Sequence, residues 1–113
     1  MMRRIEEMQL TDTLLKFDGI VMGYSAGAVI QLAEYHISPD EDYPEFAYFR
    51  GLPYLNGFYH EVHYRGTAEQ NDAIHRVLHE RHMPVYATKE GAGAILVEDG
   101  QITLLGEVLV FEP

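Results

Sequence analysis

The amino-acid sequence predicts an α/β fold, with helices packed on a sheet, in a single domain over residues 1–113. Three observations support this prediction: a short apolar run that ends in a glycine-rich turn, a capped helix between two apolar segments, and two apolar runs joined by Asp-Gly. Strands that alternate with helical segments are typical of α/β proteins. A chain of 113 residues is short for two independent cores.

The N-terminal half predicts a helix, a strand and a second helix. Residues 3–15 carry apolar side chains at helical spacing, with a break near Thr11. Residues 20–22 are wholly apolar, which is typical of a strand buried on both faces. Helical spacing resumes over residues 29–35. Residues 36–56 contain three prolines and predict a long irregular loop, and loops of that length are usually functional.

The C-terminal half predicts further strands around one well-marked helix. Residues 59–64 and 85–87 have strand character. Between them, the Thr-Ala-Glu-Gln sequence of residues 67–70 is a capping box, and Pro84 follows the predicted helix. Residues 94–97 and 102–105 flank Asp99-Gly100, which predicts a hairpin, and residues 108–111 predict one more strand.

The composition excludes several kinds of partner and of chemical site. Eighteen acidic against eight basic residues give a formal net charge of −10, so we expect neither nucleic acid nor a membrane as a partner. No apolar run approaches the roughly 20 residues needed to span a bilayer. The sequence has no cysteine, which excludes disulfides, a cysteine nucleophile and thiolate-bound metal. These features predict a soluble, acidic, cytoplasmic protein.

A short motif carries the chemistry. Residues 23–27 read Gly-Tyr-Ser-Ala-Gly and fit G-x-S-x-G, the nucleophile elbow, between a predicted strand and a predicted helix. The sharp turn exposes Ser25, and small residues two positions away on either side avoid a collision across it. The backbone N–H of Ala26 is then the expected oxyanion donor. The alternative is a tight strand–helix turn in a protein without catalytic activity.

A serine nucleophile needs a base, usually histidine, and the chain has six. His63 is the best candidate, because it lies at the end of a predicted strand beyond the long loop. His36 is an alternative that lies closer to Ser25 in sequence. His75 and His79 are four residues apart on a predicted helix and have the spacing of a metal-binding pair, but two solvated histidines are the simpler interpretation. We therefore predict no metal and no cofactor.

The acid that orients the histidine is expected in the cluster formed by Asp40, Glu41 and Asp42. Asp40 follows a proline that stiffens the chain, and we prefer it over its two neighbours. The alternative interpretation of the cluster is a solvated acidic turn.

At these residues the sequence resembles the serine peptidase family of dipeptidase E and cyanophycinase, a branch of the class I glutamine-amidotransferase-like fold. The motif G-x-S-A-G-A is found at residues 23–28, and the order Ser25, Asp40, His63-Tyr64 matches. The resemblance implies a three-layer α/β/α fold and a Ser-His-acid triad acting on a small peptide substrate. It covers only the C-terminal part of a family domain, so we expect the N-terminal half of the sheet to be missing.

Other departures bear on substrate and assembly. The resemblance implies an arginine after the histidine, but Asn71-Asp72 stands at about that place in this sequence. The candidates for substrate binding are therefore Tyr24 and Arg65, with Arg76 as another substitute. A short sheet predicts pairing with a second copy (a homo-oligomer), a separate N-terminal half, or exposed apolar surface. Two further hypotheses stay open: a catalytically incomplete fragment or subunit, and a non-enzymatic ligand-binding domain.

Overall fold

The computed structural model describes residues 22–23, 26–40 and 44–113. Within them the order of elements is α1 (Ala26–Val29), β1 (Glu34–Ile37), β2 (Ala47–Arg50), β3 (Tyr59–Glu61), α2 (Ala68–Arg81), β4 (Val85–Glu98) and β5 (Gln101–Phe111). The content is mixed α/β, as the sequence predicts. The predictions for residues 3–15 and 20–21 fall outside the described residues. Met22, the last residue of the predicted buried strand, is described and is 89% exposed. No helix in the described part of the chain is long and apolar enough to cross a membrane.

The described strands form two sheets. β1 and β2 pair antiparallel, with Tyr35 opposite Phe49. In the second sheet the order is β3-β4-β5: β3 pairs parallel with β4, and β4 pairs antiparallel with β5. A parallel pair needs a long crossover connection, and α2 provides it between β3 and β4.

The region after α1 differs from the sequence prediction. The helix predicted over residues 29–35 is wrong beyond Val29, because the chain turns there and β1 begins at Glu34. The prediction of an irregular loop over residues 36–56 is also wrong in part, since β2 lies inside it. Pairing between β1 and β2 satisfies the backbone of both segments, and the periodicity of either segment alone does not reveal that pairing.

The capped helix is confirmed. The hydroxyl oxygen of Thr67 accepts a hydrogen bond from the backbone N–H of Gln70 (3.1 Å), and α2 begins at Ala68. At its other end, His82 adopts a left-handed conformation and its N–H donates to Leu78. The buried face of α2 packs in a hydrophobic cluster against two strands of the second sheet; its fully buried members are Ile74, Val77 and Val85, with Tyr59 beside them.

The hairpin is confirmed, and its strands are longer than predicted. Asp99 and Gly100 both have positive φ, 51° and 77°, which is the geometry of a type I′ turn. Residues 85–87 begin the continuous strand β4, and the two segments predicted over 102–105 and 108–111 form the single strand β5. The pair stays continuous past an irregularity because Gly93 faces Gly106, where a Cβ on either residue would collide with the opposite backbone.

Candidate active site

Gly23, the first glycine of the predicted elbow, is sterically confined. α1 begins at Ala26, directly after Ser25 in the sequence, while Tyr24 and Ser25 themselves lie outside the described residues. A Cβ on Gly23 would collide with the backbone carbonyl of Gly27. Around Gly27 the described residues leave open space within 4 Å. The requirement for glycine is therefore visible at the first of the two positions.

His63 lies just beyond the sheet. The sequence predicts a strand over residues 59–64, but β3 ends at Glu61, so His63 lies two residues beyond it. The backbone of His63 has φ 52°, in the left-handed region, so strand alternation no longer decides which way this residue faces. Its half-buried imidazole has Nδ1 3.7 Å from Oε2 of Glu90, a carboxylate that the sequence analysis did not single out.

A buried carboxylate lies two residues before His63 in the sequence. Glu61 is 5% exposed, and its Oε1 accepts a hydrogen bond from Oγ of Ser38 (2.6 Å). Through Nε2, the ring of His36 on β1 shares a hydrogen bond with the same oxygen (2.8 Å). Its Nδ1 is buried and has no hydrogen-bond partner within the described residues. His36, weighed as an alternative base, is thus part of a buried pair with Glu61.

The side-chain amide of Gln70 joins this buried pair to the backbone around His63. Its Nε2 donates to Oε2 of Glu61 (3.3 Å) and to the carbonyl oxygen of His63 (3.1 Å). Its Oε1 accepts from the backbone N–H of Arg65 (2.8 Å). Both the donor and acceptor ends of the amide are therefore used.

The remaining histidines are in other environments. His60, on the face of β3 opposite Glu61, is hydrogen-bonded through Nε2 to Oγ1 of Thr88 (2.8 Å). Burial lowers the pKa of His60 to about 4, so the ring is neutral and a weak base near neutral pH. His75, His79 and His82 are exposed, as predicted. The described residues contain no group of three or more histidine, aspartate or glutamate side chains suited to a metal ion.

The acidic cluster is described only at its first residue. Asp40 is exposed after the end of β1, whereas Glu41 and Asp42 lie outside the described residues. The structure leaves the choice among these three acids as a prediction.

The two candidate arginines differ in their surroundings. Arg65 is exposed, two residues after His63. Arg76 donates to Glu80 (2.9 Å) and lies 4.3 Å over the ring of Phe46, so its guanidinium is part of the contact between α2 and the segment before β2.

Sequence reasoning missed Glu61 and Gln70. One signal was available, because alternation along β3 places Glu61 on the same face as the buried Tyr59. An acid at an inward-facing strand position needs partners, and those partners come from remote segments.

Comparison with known proteins adds one finding. The family model of peptidase family S51 matches residues 1–105 of the chain. No curated protein and no solved structure matches it.

Proposed function

Because the chain belongs to peptidase family S51, the family of dipeptidase E and cyanophycinase, we propose that it is a serine peptidase that cleaves short peptides as dipeptidase E does. The observation that carries this proposal is the family match, which spans residues 1–105 and includes both the elbow motif and His63. We propose with it a single domain of the three-layer, class I glutamine-amidotransferase-like fold. The acidic, cysteine-free composition supports a cytoplasmic location.

In the proposed mechanism, Ser25 is the nucleophile and His63 the general base. The hydroxyl of Ser25 attacks the peptide carbonyl while His63 takes its proton, and the same proton then goes to the departing amine. The N–H of Ala26 stabilises the oxyanion, and water hydrolyses the acyl-enzyme. Asp40 is the acid proposed from the sequence to orient the imidazole, although the carboxylate that the structure shows beside Nδ1 of His63 is that of Glu90 (3.7 Å). The start of α1 at Ala26 supports the oxyanion role, because the first N–H groups of a helix have no partner within the helix.

Substrate binding is proposed for Tyr24 and Arg65. The side chain of Asn71, near the place of the family's arginine, accepts from the hydroxyl of Tyr64 (2.6 Å) and donates to the carbonyl of Gly66 (3.4 Å). The exposed Arg65 is therefore our candidate for pairing with a carboxylate of the peptide, since Arg76 is bound to Glu80. No metal or cofactor is needed for these steps.

The direct test is labelling with a fluorophosphonate probe, which phosphonylates activated serines. The chain has two serines, Ser25 and Ser38, and cleavage after Glu34 places them in different peptides. We expect phosphonylation at Ser25, its loss in Ser25→Ala, and its loss in His63→Ala. A folded protein that the probe does not label, or labels only at Ser38, would contradict the proposal.

A second candidate is a subunit that becomes active only with a separate N-terminal half. The observation in its favour is the exposed apolar surface of β4 and β5, which carries five large exposed side chains: Leu96, Ile102, Leu105, Leu109 and Val110. If that half supplies a second oxyanion donor, the chain alone would be labelled slowly, because losing one such donor lowers turnover about 10²–10³-fold. Labelling of Ser25 that accelerates on addition of a separate N-terminal half would favour this candidate. Peptide binding without labelling would instead favour a ligand-binding domain.

A further inference from the structure

We propose that Gln70 is a positioning residue for His63 and that the buried carboxylate of Glu61 holds Gln70 in place. This inference rests on the proposed function, in which His63 is the general base. It assigns to α2 a second role, besides packing on the sheet, because Gln70 belongs to the first turn of that helix.

The backbone of His63 has a conformation that surrounding contacts must hold in place. A residue with a Cβ is disfavoured at φ 52°, so surrounding contacts must hold it there. The amide of Gln70 bonds to the backbone at His63 and again two residues later. It donates to the carbonyl of His63 (3.1 Å) and accepts from the N–H of Arg65 (2.8 Å). The N–H of Tyr64, between them, donates to the carbonyl of Thr88 on β4 (3.0 Å).

Gln70 is itself held in place, through both its backbone and its side chain. Its backbone N–H donates to the cap residue Thr67, so its Cα is held at the start of α2. Its Nε2 also donates to Oε2 of Glu61 (3.3 Å). The other oxygen of that carboxylate is engaged by His36 and Ser38, so the orientation of Glu61 is determined by partners from the β1 region. Reorientation of this carboxylate would leave buried polar groups without hydrogen bonds, which is costly.

In this proposal, the contacts of Gln70 determine the position of the His63 imidazole. A shift of about 1 Å in a catalytic group can lower the rate about a hundredfold without changing how substrate binds. The contacts of Gln70 are made to the backbone of His63, not to its ring. Their loss should therefore slow proton transfer while leaving the binding surface intact.

The test compares two variants in the full chain. Gln70→Met keeps the approximate length of the side chain and removes all of its side-chain hydrogen bonds, whereas Glu69→Gln changes the neighbouring exposed residue in the same turn of α2 and leaves the contacts of Gln70 in place. With the fluorophosphonate probe we expect the maximal labelling rate of Gln70→Met to fall at least about tenfold at an unchanged half-saturating probe concentration. Glu69→Gln should label at nearly the wild-type rate.

A second readout is independent of labelling. Amide hydrogen exchange at Arg65 should accelerate in Gln70→Met and stay slow in Glu69→Gln, because the N–H of Arg65 donates to Gln70. If the wild type labels and Gln70→Met labels equally fast, the positioning role is overturned while the peptidase assignment stands. If the wild type does not label, the assignment fails and the positioning role fails with it. In that case, exchange at Arg65 still decides whether the amide holds this turn.

Discussion

Gly23 is the residue with the tightest steric constraint near the proposed nucleophile. We expect Gly23→Ala to lower the free energy of unfolding by about 1–3 kcal/mol, because the added Cβ would overlap the carbonyl of Gly27, a backbone group that cannot move away cheaply. Urea denaturation monitored by circular dichroism would measure this.

Gly27→Ala is the matched control for that substitution. The described residues leave open space around Gly27, and alanine favours the helical conformation of α1, so stability should hold or rise slightly. Equal destabilisation by the two substitutions would contradict the geometry of the turn.

His60 makes stability depend on pH. Its pKa is about 4 in the folded chain against 6.5 as the ordinary value, so the unfolded chain binds more protons between these two values. The free energy of unfolding is therefore fully retained above pH 6.5 and falls as pH is lowered towards 4, by about 3 kcal/mol at most. Urea denaturation of the wild type from pH 7 to pH 4.5 would measure the loss.

His60→Gln separates this contribution from other titrating groups. Glutamine keeps a polar side chain near Thr88 and does not titrate, so the variant should lose less stability than the wild type over the same pH range. Parallel curves for the two proteins would show that His60 is not the source of the dependence.

Among the elements, α2 connects fold and site most directly. Thr67→Ala should destabilise the chain by about 1 kcal/mol, because the first turn of α2 loses the acceptor for the N–H of Gln70. Thr67→Ser keeps that acceptor and should be close to the wild type in thermal or urea denaturation. An alanine variant as stable as the serine variant would show that the cap contributes little.

The elements also differ in how far sequence could predict them. α2 and the β4–β5 turn depend on residues within a few positions of one another, and both are confirmed. β1 falls partly in the predicted helix over residues 29–35 and partly in the predicted loop, because apolar spacing over so few residues does not distinguish the two periods. Its partner β2 lies about ten to sixteen residues further along the chain, and that pairing decides its conformation.

At the scale of the whole molecule, the β4–β5 hairpin presents an unusual surface. β5 is an edge strand of its sheet within the described residues and has few charged side chains among its 11 residues. Edge strands of this kind readily pair with another chain. We therefore propose that a second copy covers this surface, although the net charge of −10 opposes close approach of two copies.

Sedimentation tests the assembly. We expect the wild type to sediment as a dimer at micromolar concentration, and Leu109→Lys, on β5, to shift it towards monomer. Glu69→Gln, on the exposed side of α2, changes the net charge equally and should leave the dimer unaffected. A well-folded wild type that stays monomeric would contradict the proposal.

The sequence by itself determined the family, the capped helix and the type I′ hairpin. The cap and the turn are each encoded in a short window, because they depend on neighbouring residues, whereas the family match spans residues 1–105. Only the tertiary structure decided that β1 is a strand and that Glu61 is buried against His36, 25 residues away in sequence. A buried carboxylate must find its partners in three dimensions, and which remote segments supply them depends on how the sheets and α2 pack together.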